Sequence, residues 1–247
     1  METTSYIALS RQGALRREMT VVSNNIANMN TTGYKGERMM FVDHLERSRS
    51  GDFIADQKLN FVRDVASYRN LEEGHIQQTG NPLDLAIHGE GYFVVQTPDG
   101  EQQYTRGGSL RLDENGQLVT QGGLPVLTDA NTPVFFAPED TKIEIASDGS
   151  IATQNGAIGK LQVVRFGNEQ DMQRVENGLY TTEQPAEAVE APTVAQGALE
   201  QSNVQAILEM SRMIQVNRSY KSIQNLIKKE DERIKKAIAE LAKVQQS

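Results

Sequence analysis

The chain has 247 residues and a hydrophobic fraction of 38%, below the ~45–50% of typical globular proteins, yet it is long enough for one large domain or two small ones. It contains no cysteine, which excludes disulfide scaffolds, thiolate zinc sites and cysteine nucleophiles. Its net charge of −8 is unevenly distributed, because residues 71–220 carry 8 Lys and Arg against 21 Asp and Glu and the two ends are mildly basic. Nucleic acid is therefore not expected as a partner.

The N-terminal segment predicts a long helix with one apolar seam. Neither proline nor a glycine pair interrupts residues 4–28, and its apolar residues recur at alternating intervals of four and three, at Leu15, Met19, Val22, Ile26 and Met29. This spacing is typical of a coiled coil. The first residues lack the basic start and apolar core of a cleaved secretory signal, and no apolar run is long enough to predict a membrane-spanning helix.

The turn at residues 30–33 (NTTG) is expected to end this helix. Gly33 most simply supplies a left-handed residue after the helix, because glycine adopts positive φ at no steric cost. The alternative is that Gly33 is a flexible hinge with negative φ.

Between the terminal segments the pattern changes to short apolar runs separated by turns. Asn-Gly and Asp-Gly pairs occupy most of the turns and favour antiparallel hairpins. The apolar runs are residues 83–87, 92–95, 118–119, 134–136, 143–145 and 161–166. We therefore expect an extended connector over residues 36–80, a central all-β antiparallel domain over 81–180 and a return segment over 181–203.

The C-terminal segment, residues 204–247, predicts a second and longer helix. It contains no glycine or proline, and its seam follows the same alternation of three and four, interrupted only by Glu230, at Met213, Val216, Tyr220, Ile223, Ile227, Ile234, Ala237, Leu241 and Val244. Upstream, Val204, Ile207, Met210 and Ile214 follow a shifted register, which indicates a stutter or a change of partner near Ile214. The alternative is a single amphipathic helix on the surface of a globular domain.

The predicted fold class is α+β, with long N- and C-terminal helices that pair as a coiled coil and a central all-β antiparallel domain that projects from it. The first domain is the helix and turn of residues 1–35, and the last is the helix of residues 204–247. A helix this long with one narrow stripe needs a partner, and the other terminal seam is the simplest one.

No motif for enzymatic or metal chemistry is present. The histidines are far apart in sequence and match no metal-ligand spacing: His44, His75 and His88. Arg106 lies in an apolar, turn-rich neighbourhood, and we expect it either to pair with Asp84 or Asp113 or to be solvated. The sequence therefore predicts no catalytic residue, no metal site, no cofactor and no small-molecule substrate.

Blocks in order along the chain resemble bacterial flagellar rod and hook proteins. They are residues 24–37 (NNIANMNTTGYKGE), 79–95 (TGNPLDLAIHGEGYFVV), 104–123 (YTRGGSLRLDENGQLVTQGG), 199–204 (LEQSNV) and 209–220 (EMSRMIQVNRSY). The first block is very specific, and together the blocks reach from one end of the chain to the other. Within the family the chain is most similar to proximal-rod members.

The resemblance implies a structural axial subunit of the proximal rod of the flagellar basal body, required for motility and spanning the periplasm. It implies that the terminal helices polymerise with further copies and other rod subunits. It also implies passage through the flagellar type III export apparatus without a cleaved signal peptide. The residues expected at the assembly interface are Leu15, Met19, Val22, Asn24, Asn25, Ile26, Asn28, Gly33, Met213, Val216, Tyr220, Ile223 and Ile227. Phe41 and Leu45 resemble the export motif of the family.

Two other interpretations stay open at this point. One is the distal-rod paralogue within the same family. The other is a β module that binds carbohydrate or protein and stands on a coiled-coil stalk. An enzyme is a third class, for which the sequence offers no motif.

Overall fold

The computed structural model describes the backbone of residues 2–47 and 58–244 and the side chains of residues 6–40 and 66–239. Helix α1 spans Glu2–Ala27 and helix α2 spans Ala206–Val244, close to the two predicted helices. Neither helix, over the residues described, holds a stretch long and apolar enough to cross a membrane. The α+β class is confirmed.

The strands lie between the two helices. In chain order they are β1 Glu37–Arg47, β2 Lys58–Arg69, β3 Ile76–Gln78, β4 Leu85–His88, β5 Tyr92–Gln96, β6 Gln102–Thr105, β7 Leu110–Leu112, β8 Leu118–Thr120, β9 Ile143–Ile145, β10 Ser150–Thr153, β11 Gly156–Lys160, β12 Val163–Arg165, β13 Gln173–Arg174, β14 Leu179–Thr181, β15 Glu187–Ala188, β16 Thr193–Gln196 and β17 Ala198–Glu200. Two short 3₁₀ helices cover Glu169–Asp171 and Glu176–Gly178.

The chain divides into two compact units. The helical unit comprises Met1–Ala27, Glu37–Arg69 and Gln205–Ser247, and the β unit comprises Asn28–Gly36 and Asn70–Val204. The charge asymmetry follows this division: the helical unit has 18 Lys and Arg against 13 Asp and Glu, whereas the β unit has 7 against 20. The net charges are therefore +5 and −13.

The helical unit contains α1, α2 and the antiparallel pair β1–β2. The register of this pair runs from Glu37 opposite Arg69 to Arg47 opposite Lys58, with an irregularity between Met40 and Phe41. The stretch expected to be an extended connector thus contains β1, β2 and β3.

The β unit is built around a six-stranded sheet in the order β13-β14-β6-β5-β12-β15. Strand β5 is buried on both faces, because its alternating side chains enter two different apolar clusters. Phe93 and Val95 belong to the larger cluster, and Tyr92 and Val94 to the smaller one, which also contains Phe166 and Tyr180.

The return segment re-enters the β unit beside its first strands. Strand β16 pairs antiparallel with β4, and β17 pairs with β3. The predicted turns are confirmed by positive φ at their glycines: Gly100, Gly116, Gly123, Gly149, Gly156 and Gly178. The return of the chain brings residue 200 close to residues near 35 and 106, which sets up the site described next.

Candidate assembly site

Most residues of the predicted helix seams are buried or half-buried within the helical unit. Helices α1 and α2 contact each other, and Arg212 Nη2 of α2 lies 3.0 Å from Glu18 Oε1 of α1. Leu15, Val22 and Val216 are buried. Six further seam residues are half-buried: Met19, Ile26, Met213, Tyr220, Ile223 and Ile227. Ile234 and Ala237, further along α2, are exposed. These side chains stabilise one copy of the chain, and any role of theirs between copies stays a prediction.

A second apolar stripe on α2 is exposed. It consists of Ile207, Met210 and Ile214, which share one helix face because they are three and four residues apart. Their exposed fractions are 79%, 47% and 54%. This exposed stripe is the segment whose register departs from that of the seam in the sequence. Exposed apolar residues grouped on one face are typical of a protein interaction surface.

Asn25 connects three parts of the helical unit. Its side-chain amide donates hydrogen bonds to Glu37 O, at 2.8 Å, and to Glu209 Oε2, at 3.3 Å. Its Oδ1 accepts a hydrogen bond from Glu37 N at 3.0 Å. The end of α1, the start of β1 and the first turns of α2 are therefore held by one buried side chain. The neighbouring Asn24 is exposed.

Asn25→Ala is expected to lower the free energy of unfolding of the helical unit by about 2–3 kcal/mol, because buried partners at Glu37 and Glu209 lose their hydrogen bonds. Ser23→Ala, at an exposed position in the same turn of helix, is the matched control. The loss of helical circular dichroism in denaturant measures both changes. Equal midpoints for the two variants would show that Asn25 is not a connecting residue.

Gly33 has φ +68°, so the left-handed conformation is confirmed and the hinge with negative φ is wrong. Its position differs from the expectation, because α1 ends at Ala27 and Gly33 lies further along the turn. The reason for glycine here is a close approach within the β unit. A Cβ on Gly33 would lie 2.5 Å from the carbonyl carbon of Arg106, and Gly33 N donates to Glu200 O at 2.8 Å. Asn28 begins the same turn and accepts from the Thr31 hydroxyl at 3.2 Å.

Gly33→Ala is expected to destabilise the β unit by more than the ~1–3 kcal/mol of backbone strain alone, because its Cβ also collides with the backbone of Arg106. Gly33→Asn carries the same Cβ and should be no better, although asparagine tolerates positive φ. Gly80→Ala isolates the strain, since Gly80 has φ +75° and open space around it. Denaturant unfolding of the three variants provides the measurement, and equal losses for Gly33→Ala and Gly80→Ala would remove the steric argument.

A buried ionic cluster, Lys35, Arg106 and Glu200, lies next to Gly33 in the β unit. Lys35 Nζ is 2.7 Å from Glu200 Oε1, and Arg106 Nε is 2.9 Å from Glu200 Oε2. The three side chains expose 4%, 4% and 1% of their surface. This corrects the sequence expectation for Arg106, which is neither solvated nor paired with Asp84 or Asp113.

The remaining donors of the cluster are satisfied by backbone carbonyls. Arg106 Nη1 donates to Gly89 O and Gly91 O at 2.8 and 2.6 Å, and Lys35 donates to Glu72 O at 2.8 Å. Glu200 also accepts from Gly74 N at 3.0 Å. The cluster therefore holds segments from four separate parts of the chain around one carboxylate.

Burial is the largest influence on the Glu200 carboxyl and opposes its ionisation. Attraction by Arg106 and Lys35, with hydrogen bonds from Lys35 and Gly74, outweighs it, and the pKa of Glu200 lies below its ordinary value. The pKa of Lys35 is lowered, since burial outweighs its attraction to Glu200. The carboxylate is thus held in its charged form between two cations.

The sequence does not predict that Lys35 pairs with Glu200. They are 165 residues apart, and pairing over that distance leaves no periodic signal. The available signal was that Lys35, Arg106 and Glu200 each lie in one of the family-like blocks.

The export-motif residues Phe41 and Leu45 lie in β1, and their side chains are outside the part of the chain that the structure describes. Among the residues described, no group of three or more His, Asp or Glu side chains is placed to hold a metal ion. His88 is exposed, and its Nδ1 lies 3.2 Å from Glu73 Oε1.

The fold and the site define an α+β protein whose two terminal helices contact each other and which carries an exposed apolar stripe. Three family models match it: a flagella basal body rod protein model at residues 6–35, a flagellar hook protein FlgE/F/G D1 domain model at 86–153 and a flagellar basal body rod FlgEFG protein C-terminal model at 195–240.

Curated relatives match over nearly the whole chain. The flagellar basal-body rod protein FlgF of Caulobacter vibrioides is 34% identical over 247 residues, covering 99% of this chain and 100% of that protein. FlgF of Mesorhizobium japonicum is 31% identical, with 92% and 93% covered. The rod protein FlgG of Buchnera aphidicola subsp. Acyrthosiphon pisum is 32% identical, with 94% and 96% covered. The chain belongs to the flagellar basal-body rod protein family.

Proposed function

We propose that the chain is a structural subunit of the flagellar basal-body rod, not an enzyme, and that it occupies the proximal rod as an FlgF-type protein. The observation that carries this proposal is the full-length similarity to proteins named as rod subunits. The exposed stripe supports it, since a rod subunit needs apolar surface that only neighbours cover.

Assembly is proposed to proceed through the terminal helices. The apolar seams of α1 and α2 pair the two helices as a coiled coil within one copy of the chain. The exposed residues Ile207, Met210 and Ile214 contact neighbouring rod subunits. Contacts between two different faces build a helical filament when the rotation between subunits does not close into a ring. The connector, central and return segments at residues 36–80, 81–180 and 181–203 would then form the part of the subunit outside the axial helices.

The finer features implied by the family belong to the same proposal. The chain would pass through the flagellar type III export apparatus without a cleaved signal peptide, with residues 41–45 as a recognition segment, and would become part of a rod that spans the periplasm. Other rod subunits and further copies of the chain are its partners.

The distal rod is the second candidate position, because relatives named FlgG are about as similar to the chain as those named FlgF. A stalked β module that binds carbohydrate or protein is less well supported, since the similarity includes the terminal helices. The two rod positions differ in which subunits a basal body can contain when the chain is missing.

Deletion of the gene in its own bacterium tests this function. We expect loss of swimming, restoration by the full chain supplied in trans, and basal bodies that lack distal-rod and hook subunits when the chain is absent. Normal swimming of the deletion strain would contradict a rod function. Basal bodies that retain a complete proximal rod would favour the distal position instead.

A further inference from the structure

Three Asn-Gly pairs occur in the β unit, at residues 115–116, 155–156 and 177–178. The pair at Asn177 and Gly178 has φ values of +58° and +72°. A turn with two positive φ values favours this dipeptide over most others. The same dipeptide is chemically reactive, because glycine has no Cβ to keep its backbone nitrogen away from the preceding side-chain amide.

The side-chain amides of the other two asparagines contact neighbouring carboxylates. Asn155 Nδ2 donates to Asp140 Oδ1 at 2.8 Å. Asn115 N donates to Asp113 Oδ1 at 2.9 Å, its Nδ2 lies 3.5 Å from Asp113 Oδ2, and Gly116 N donates to Asp113 O at 3.1 Å. Rotating the Asn155 side chain towards the following nitrogen breaks its bond to Asp140, and rotating the Asn115 side chain breaks its 3.5 Å contact with Asp113.

The side chain of Asn177 has no such contact within the part of the chain that the structure describes. It is exposed, and its amide makes no hydrogen bond to any residue in the described part of the chain. Its Nδ2 lies beside Gly122, since a Cβ added to Gly122 would be 3.4 Å from it. Rotation about the Asn177 side chain therefore costs no hydrogen bond, unlike the same rotation at the other two sites.

We propose that Asn177 is a site of spontaneous deamidation in the folded protein, and the one favoured among the three Asn-Gly pairs. The nitrogen of Gly178 attacks Asn177 Cγ, a C–N bond forms, and the side-chain amine leaves as ammonia with the proton from the Gly178 nitrogen. Water then opens the resulting succinimide at either carbonyl and yields aspartate or isoaspartate.

The modification would change a surface groove. Asn177 lines a groove of about 680 Å³. Most of the other lining residues are neutral, among them Thr32 and Gln121, and the charged ones are Arg174 and Glu176. Deamidation adds a negative charge there, and the isoaspartate product adds one atom to the backbone of the turn. Its effect is therefore local to this groove and does not involve the helical unit.

The test is to incubate the purified full chain in mildly alkaline buffer and to follow the three Asn-Gly peptides by mass spectrometry. We expect Asn177 to convert roughly five- to tenfold faster than Asn115 and Asn155, the factor that the loss of about one hydrogen bond represents. In denaturant the three rates should converge, because each asparagine is followed by glycine.

Asn177→Gly is the control variant, since glycine keeps the positive φ and removes the reactive amide. It should abolish conversion in that peptide and leave the other two rates unchanged. Conversion of Asn115 or Asn155 as fast as Asn177 in the folded chain would overturn the proposal. The same ranking in denaturant would also overturn it, because local sequence would then set the rates.

Discussion

Glu200→Gln is expected to lower the free energy of unfolding of the β unit by about 3–5 kcal/mol, because it leaves the buried cations of Lys35 and Arg106 without an anionic partner. The chain has no tryptophan, so fluorescence of the buried residues Tyr92 and Tyr180 reports unfolding in denaturant. Glu190→Gln removes the same charge from an exposed position and should change stability by less than about 0.5 kcal/mol.

The pH dependence provides a second readout of Glu200. Its pKa in the folded state lies below the ordinary 4.5, so its stabilisation is complete above pH 4.5 and is lost as the pH falls through the folded-state value. The Glu200→Gln variant should lack this part of the acid-induced loss. Pairing Glu200→Gln with Lys35→Met should recover some stability, since one unpaired cation is removed with its carboxylate. A double variant less stable than the sum of the single changes would contradict a cluster held by these charges.

Ile207→Asp and Ile214→Asp are each expected to abolish swimming while the chain remains folded. A carboxylate covered by a neighbouring subunit costs several kcal/mol when it is unpaired. In the free chain Ile207 is 79% exposed and lies in the first turn of α2, where the helix dipole favours a negative charge. Ile207→Asp should therefore leave helical circular dichroism unchanged and remove the chain from isolated basal bodies.

Two further variants test whether the effect belongs to this helix face. Gln215→Asp adds the same charge at an exposed position adjacent to Ile214 and should swim. Val216→Asp places the charge at a buried seam position and should reduce the helical content itself. Normal swimming of both the Ile207→Asp and the Ile214→Asp variants would show that the exposed stripe is not an assembly surface.

The helices were predictable because their signal is long and local. The alternation of three and four from Leu15 to Ile26 and from Met213 to Ile227 needs no knowledge of the partner. The strands of the central segment were predictable for a similar reason, since Asn-Gly and Asp-Gly pairs mark the turns, whereas the paired strands β1 and β2 lie in residues that were expected to form a connector.

The parts of the site that depend on long-range contacts were not predictable. Arg106 has nearer acidic residues in sequence than Glu200, and only the return of β17 beside β3 brings Glu200 within reach. Gly33 was recognised as a residue with positive φ, yet the requirement for glycine comes from the Arg106 backbone, 73 positions away along the sequence. The sequence shows the shifted register at Ile207, Met210 and Ile214, but it does not show that these three side chains are exposed.

Photo-cross-linking in assembled basal bodies tests most directly whether the exposed stripe contacts neighbouring subunits. A photoreactive phenylalanine analogue is placed at residue 214 in one variant and at residue 215 in another, both in cells that swim. The proposal predicts a covalent adduct from position 214 that mass spectrometry identifies as this chain joined to a rod subunit, and little adduct from position 215. An adduct from position 215 with none from position 214 would contradict it.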